Sequence, residues 1–245
     1  MPEFRVLPAG DTALVVEFGD RIDRRLSTWV LALARRLDEA RLNGVVETVP
    51  TYRSLMVHYD PLALAADALE AKIVEFMRGL HATGETVRHW RLPACYDPQL
   101  APDLDEVAAR TGHSPAQVVE LHSMTPYYVY MIGFLPGLAY LGDLPGELSL
   151  PRRPTPRLKV PAGSVAIATT MTSIYPIDHP GGWHLIGRSP VPLWERLPVV
   201  RTLLAPGDKV TFVPVSLREY EELIAQAAAG TLSVESVEES VGVAA

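Results

Sequence analysis

The chain has 245 residues, enough for one large domain or two small ones, and either can bury a sizeable core. A formal net charge of −7 and a pI near 5.5 argue against nucleic acid as the main partner, and the lone Cys95 excludes an internal disulfide and a cysteine-built metal site. No apolar run reaches membrane-spanning length and the start MPEFRVLPAG lacks a signal-peptide layout, so no membrane partner is expected and the cytoplasm is the expected compartment.

Ala13 to Phe18 is a short β-rich run bounded by Gly10-Asp11 and Gly19-Asp20. From Asp23 to Leu42 the spacing is helical, with Leu26, Trp29, Val30, Leu33, Leu37 and Ala40 on one face. Val45–Val49 and Ser54–Tyr59 read as strands, Leu62–Leu80 as a second amphipathic helix, and Thr86–Pro93 as a further strand. The resulting order, β-α-β-β-α-β, is that of a ferredoxin-like (split βαβ) α/β sandwich. Its expected extent is residues 1–85. Two short helices follow, Asp103–Arg110 and Ser114–Ser123, the second opened by a Ser-Pro start signal. Adjacent to a strand-rich region, they suggest a plug or lid. Strands then dominate at Tyr128–Ile132, Ser164–Ala168, His184–Arg188 and Lys209–Val213. Ser216–Ala229 is a last helix, and the acidic, small-residue-rich tail VESVEESVGVAA reads as loose at its end. The fold class is α+β, with a second domain over 86–245 whose core ends near residue 215.

The stretch from Tyr130 to Arg188 is dense in proline and glycine yet interleaved with Phe134, Tyr140, Tyr175 and Trp183. Such a mixture suits short β segments joined by specified turns around a pocket. Within it, Gly133-Phe134-Leu135-Pro136-Gly137 ends a strand in a rigid turn that either contacts a ligand or sets register. The basic run Arg152, Arg153, Arg157, Lys159 stands out in an acidic chain. It can hold an anionic group, or it can be a solvated or docking loop, and the two readings stand level. In Pro180-Gly181-Gly182-Trp183-His184 the glycines expose backbone N–H groups to an oxyanion, and His184 is either a proton carrier or a structural residue. For Trp183, barrel core is the favoured reading. Strand alternation puts His184, Ile186 and Arg188 on one face, where Arg188 binds a ligand anion or pairs with Asp178 or Glu195. Tyr175 adds a hydroxyl. No nucleotide-loop, zinc-protease or hydrolase-elbow motif is present, and the seven histidines show no helical ligand spacing, so no metal is expected.

The blocks GFLPGLAYLG, PRLKVPAGSVAIA, IYP and PGGWHLIGRSP, with LPACYDPQLAPDLDEVA upstream, resemble the allophanate hydrolase subunit 1 family, also called KipI-like or the 5-oxoprolinase B-subunit family. The same module is similar to half of the carboxyltransferase domain of urea carboxylase. The resemblance covers roughly residues 3–215. It implies a cyclophilin-like β-barrel for the second domain. It also implies a subunit of an ATP-dependent amidohydrolase that opens 5-oxoproline, with ATP as co-substrate and no covalently bound cofactor. The implied partners are a homologous carboxyltransferase-like subunit, a third subunit, and a small amide or lactam. Urea or allophanate chemistry, and inhibition of a sensor histidine kinase, are the alternative readings. Expected site residues are Gly133, Phe134, Pro136, Gly137, Tyr140, Arg157, Lys159, Met171, Tyr175, Gly181, Gly182, Trp183, His184 and Arg188, with His184 and Tyr175 as catalytic candidates. Where the family usually shows Gly-x-Gln-Thr-Gly before IYP, this chain has Thr169, Thr170, Met171, Thr172 and Ser173.

Overall fold

A computed structural model describes residues 1–81, 85–195 and 201–241 of the chain. Its contacts divide into two compact units, Met1–Glu85 with Ser240–Ala245, and Thr86–Glu239.

The first unit holds β1 (Phe4–Pro8), β2 (Ala13–Phe18), α1 (Arg24–Ala40), β3 (Val45–Pro50), β4 (Ser54–Tyr59) and α2 (Ala66–Gly79). Its sheet is fully antiparallel, in the order β1-β2-β4-β3. Alternate residues Leu14, Val16 and Phe18 of β2 and Leu55, Val57 and Tyr59 of β4 turn to one face. There they bury against Val30, Leu33 and Leu37 of α1 and Leu69, Ile73 and Met77 of α2. α1 starts where the Asp23 carboxylate accepts the Arg25 N–H at 2.7 Å, and stops where Arg41 turns left-handed at φ 44°. α2 begins four residues later than its periodicity predicts, because Asp60 caps a turn through the N–H groups of Leu62 and Leu64.

β2-α1-β3-β4-α2 is the split β-α-β core expected from the sequence. The edge beside β2, however, is supplied by β1 and not by Thr86–Pro93. A hairpin through Gly10-Asp11 pairs β1 with β2 over a short loop, at little closure entropy. The later segment is free to join the barrel.

That barrel uses β5 (Glu85–Cys95), β6 (Tyr127–Ile132), β7 (Ala139–Gly142), β9 (Ser164–Ala168), β10 (Met171–Ile174), β12 (His184–Arg188) and β15 (Lys209–Val215). The order β12-β9-β10-β7-β6-β15-β5 closes on itself where Arg188 pairs with Cys95, giving a seven-stranded ring. β15 lies parallel to β5, and the other pairs are antiparallel. Closure removes free edges. Outside the ring lie the hairpin of β8 (Arg157–Val160) with β11 (His179–Gly181), and the short pair β13 (Trp194–Glu195) with β14 (Arg201–Thr202). Ahead of its end, the tail forms a further strand. β16 (Glu235–Val241) adds to β5, and Glu239 there accepts from Lys209 at 2.8 Å and bonds His89 at 2.7 Å. Residues 242–245 fall outside the described residues.

Among the described residues three α-helices serve this unit: α3 (Leu104–Thr111), α4 (Pro115–Met124) and α5 (Leu217–Ala228). α4 carries the full capping box of Ser114 and Gln117. Leu104, Val107, Ala108 and Val118 enter the barrel core with Tyr127, Leu141, Ile167, Ile186 and Phe212, so α3 and α4 plug the barrel. His122 of α4 goes in with them, fully buried. Its Nε2 lies 2.9 Å from the Thr172 hydroxyl and its Nδ1 2.8 Å from the Tyr96 hydroxyl. Thr172 donates to the Ala166 carbonyl at 3.1 Å, which leaves it an acceptor toward His122. The proton therefore sits on Nε2, and Nδ1 accepts from Tyr96.

The turn between β9 and β10 places Thr169 at φ 53°, a crowded region for a β-branched side chain. Thr169→Asn, which suits that region, is expected to stabilise the protein by about 1 kcal/mol, or about 2–4 °C in melting temperature. A midpoint at or below wild type would refute strain at this turn.

Candidate functional site

β9, β10 and β12 alternate between the barrel interior and an outer face. Val165, Ile167, Ile174 and Ile186 point in, whereas Ala166, Tyr175 and Leu185 join Val160 of β8 in a separate buried cluster. Trp183 packs half-buried against this outer cluster, which corrects its placement in the barrel core. Tyr140 of β7 meets Trp183 edge-on, with ring centroids 6.3 Å apart. The Tyr175 hydroxyl receives the Trp183 backbone N–H, and a Cβ on Gly181 would stand 2.2 Å from that oxygen. Glycine at 181 is thus required by close approach. Burial raises the pKa of both phenols, and the nearby positive charge of Arg152 opposes the shift. Tyr140, Tyr175, Gly181, Gly182 and Trp183 are brought together here as one aromatic face, with Arg152 above the indole at 6.0 Å. Met171 is buried on β10, with the outward parity of Tyr175.

The turn from Gly133 to Gly137 flanks this face. Phe134, at φ 71° and largely exposed, stacks edge-on against His179, while Gly137 at φ 75° packs under the Leu193 carbonyl and Trp194. The turn is closed by Gly133 N–H to the Leu138 carbonyl at 3.0 Å. Pro136 is exposed within it.

Most of the basic run has partners. Asp103, only 2% exposed, accepts Arg157 at 2.6 Å, Arg153 at 3.1 Å and the Leu185 backbone N–H at 2.7 Å. Arg153 also reaches Glu106 at 2.9 Å. The Glu106 carboxyl is held below its usual range by Arg110 first and Arg153 second. Lys159 pairs with Asp178 at 2.8 Å. The sequence marks Asp103 only as the start of a helix, and its role as an arginine anchor is missed there. Its side chain makes no cap bond because it is turned to arginines 50 and 54 residues away.

His184 is fully enclosed and donates from Nε2 to the Pro151 carbonyl at 3.0 Å. Its Nδ1, with Arg153 Nε and Arg157 Nη1, is buried without a hydrogen-bond partner among the described residues. Arg188 does not share a face with His184 and Ile186. A bulge between Leu185 and Gly187 shifts the register, so Arg188 pairs with Ser164 on the outer side. There its Nε donates to the Ala162 carbonyl at 3.1 Å, and its guanidinium hydrogen-bonds Tyr220 of α5. Asp178 reaches it only through electrostatics, and the Glu195 side chain lies outside the described residues.

A cavity of about 250 Å³ lies elsewhere, lined by Tyr96, Ala101, Leu104 and Val119 among others, and contains none of the expected site residues. Among the described residues no group of His, Cys, Asp or Glu is placed to hold a metal ion, and no helix is long and apolar enough to cross a membrane.

The sequence and the fold both match a known class. The family model for the carboxyltransferase domain, subdomain C and D, matches residues 4–203, and the chain belongs to that family. Within it, the B subunit of 5-oxoprolinase from Bacillus subtilis (strain 168) is 34% identical over 231 residues, 89% of this chain and 95% of that protein. The protein of the same name from Escherichia coli O157:H7 is 40% identical over 215 residues, 87% of this chain and 97% of its own length. The crystal structure of TTHA0988 superposes with a TM-score of 0.74 at 38% identity over 83% of this chain, which spans 40% of that longer one. Urea carboxylase of Kluyveromyces lactis shares the fold, with a TM-score of 0.81 at 19% identity over 98% of this chain and 24% of its own.

Proposed function

We propose that this chain is a subunit of an ATP-dependent amidohydrolase that opens 5-oxoproline to glutamate. The observation that carries the reading is the likeness to proteins named as the B subunit of 5-oxoprolinase over nearly their whole length. The urea amidolyases match at 24–26% identity and over only 14–15% of their length, so the urea and allophanate reading is weaker. The aromatic face supplies what a lactam needs: a flat indole wall, phenol hydroxyls and an adjacent guanidinium. Among the residues described, no acid–base pair stands open on that face, since His184 is closed off by Pro151. The chain therefore supplies binding surface, and the reacting groups come from partners, a homologous carboxyltransferase-like subunit and a third component.

ATP is the co-substrate of that assembly. Arg153, Arg157 and Lys159 are occupied by carboxylates and do not form a triphosphate cradle, so no ATP step is assigned to this chain. Partner docking on the scale of a standard interface buries roughly 1,600 Å² in total. The purified chain is expected to be inactive, and ATP-dependent release of glutamate from 5-oxoproline should arise on mixing with the two partner subunits. Robust turnover by the chain alone would reject the half-site reading. Turnover of urea but not 5-oxoproline by the complex would reject the substrate.

A further inference from the structure

Arg152 stands apart from the other three cations of its run. Among the described residues no carboxylate pairs with it, while Arg153, Arg157 and Lys159 each have one. It is exposed, and its guanidinium lies over the Trp183 ring at 6.0 Å, where its charge reaches both Tyr140 and Tyr175.

The segment that carries it is pinned on both sides. His184 holds the Pro151 carbonyl at 3.0 Å, and the Arg153 N–H donates to the Gly182 carbonyl at 2.7 Å. The Arg153 side chain is then anchored on Asp103 and Glu106. Residues 182 and 184 thus clamp residues 153 and 151, which leaves 183 and 152 facing each other. A flexible arginine held this way loses little entropy when it meets a ligand. The orphaned nitrogens of Arg153, Arg157 and His184 offer no competing site, because they are closed to solvent.

We infer that Arg152 binds the carboxylate of an anionic lactam whose ring lies on Trp183, and that Arg157 and Lys159 do not contact substrate. This rests on the lactam reading above and sharpens it. Urea has no carboxylate, and a face built around this guanidinium favours a substrate that does. His184 acts as a positioning residue for Arg152 through Pro151.

The test uses the assembled three-subunit enzyme, with KM for 5-oxoproline and inhibition by 2-pyrrolidinone, the same ring without the carboxylate. Arg152→Gln is expected to raise KM for 5-oxoproline by roughly ten- to a hundredfold, the scale of a lost charge-assisted hydrogen bond, and to leave 2-pyrrolidinone inhibition and the melting temperature unchanged. Arg152→Lys should fall between, keeping the charge without the planar fork. If both ligands weaken together, or neither does, the carboxylate assignment is overturned while 5-oxoproline turnover keeps the functional reading intact. If the wild-type complex fails to turn over 5-oxoproline, the functional reading falls, and binding to the purified chain decides the rest. Quenching of tryptophan fluorescence by 5-oxoproline that disappears in Arg152→Gln supports the anion site. Absence of quenching in wild type overturns it.

Discussion

Asp103→Ala should lower stability by about 3 kcal/mol, or about 6–12 °C in melting temperature for a chain of this size. The carboxylate is buried and joins three donors, the guanidinium groups of Arg153 and Arg157 and the Leu185 backbone N–H. Truncation leaves two cations without their shared anion and one buried amide without an acceptor. The arginines keep about a quarter of their surface in water, which holds the loss toward the lower end of the range for broken buried pairs. Asp103→Asn should cost less, because it still accepts from Leu185. Combining Asp103→Ala with Arg157→Gln should cost less than the separate losses summed, since one stranded cation is removed. Thermal melting of the set checks this. A melting temperature unchanged in Asp103→Ala would show that the cluster contributes nothing to the fold.

Acid should unfold the protein through His122. Burial in the barrel core lowers its pKa from the usual 6.5 to about 3. A base whose folded pKa is depressed takes up its proton more readily when unfolded, so its contribution is intact above about pH 6.5 and is lost as pH falls toward about 3. Between pH 7 and pH 4 that loss is about 3 kcal/mol, from about 1.4 kcal/mol per pH unit once the unfolded chain is protonated. His122→Gln keeps a polar side chain in place and removes the titration. The variant is expected to be weaker than wild type at pH 7, through imperfect replacement of the Tyr96 and Thr172 bonds, but to lose much less stability on acidification. Denaturant unfolding at pH 7, 5.5 and 4 measures the difference in slope. Parallel curves for the two proteins would exclude His122 as the acid trigger.

Helices other than the start of α2 are legible in the sequence because their signals are local. The 3.6-residue rhythm of α1 and the Ser114 cap of α4 are local, and the structure places these two and α5 within a residue or two of expectation. Strands β8, β10 and β11 are not legible. They are three or four residues long, sit among prolines and glycines, and exist only through partners elsewhere in the chain. Tyr140, Tyr175 and Trp183 are readable as members of turn-bounded blocks but not as one outer face, since Trp183 reads as barrel core until it is found against Val160 and Leu185. The allocation of the arginines is not legible either. Arg157 and Lys159 look like the anion binders of the run until Asp103 and Asp178 are found beside them, and Arg152 looks no different from its neighbours. Arg188 departs from its expected face for a related reason, because a bulge is invisible to strict alternation.

The parallel pairing of β5 with β15 matches Arg91 to Thr211, 120 positions further along the chain, and the ring also needs Cys95 beside Arg188. Both pairings join distant stretches of chain, so loop closure must precede most of the contacts that reward it. During synthesis the first unit has its whole sheet and both helices available early, whereas the barrel waits for β15, about seven-eighths of the way along the chain. Until residue 215 leaves the ribosome, β5 and β6 present unpaired edges toward the gap that β15 will fill. Truncation ahead of β15 would strand the barrel at that stage, as an open and sticky sheet. Closure of the ring depends on the arrival of this one strand.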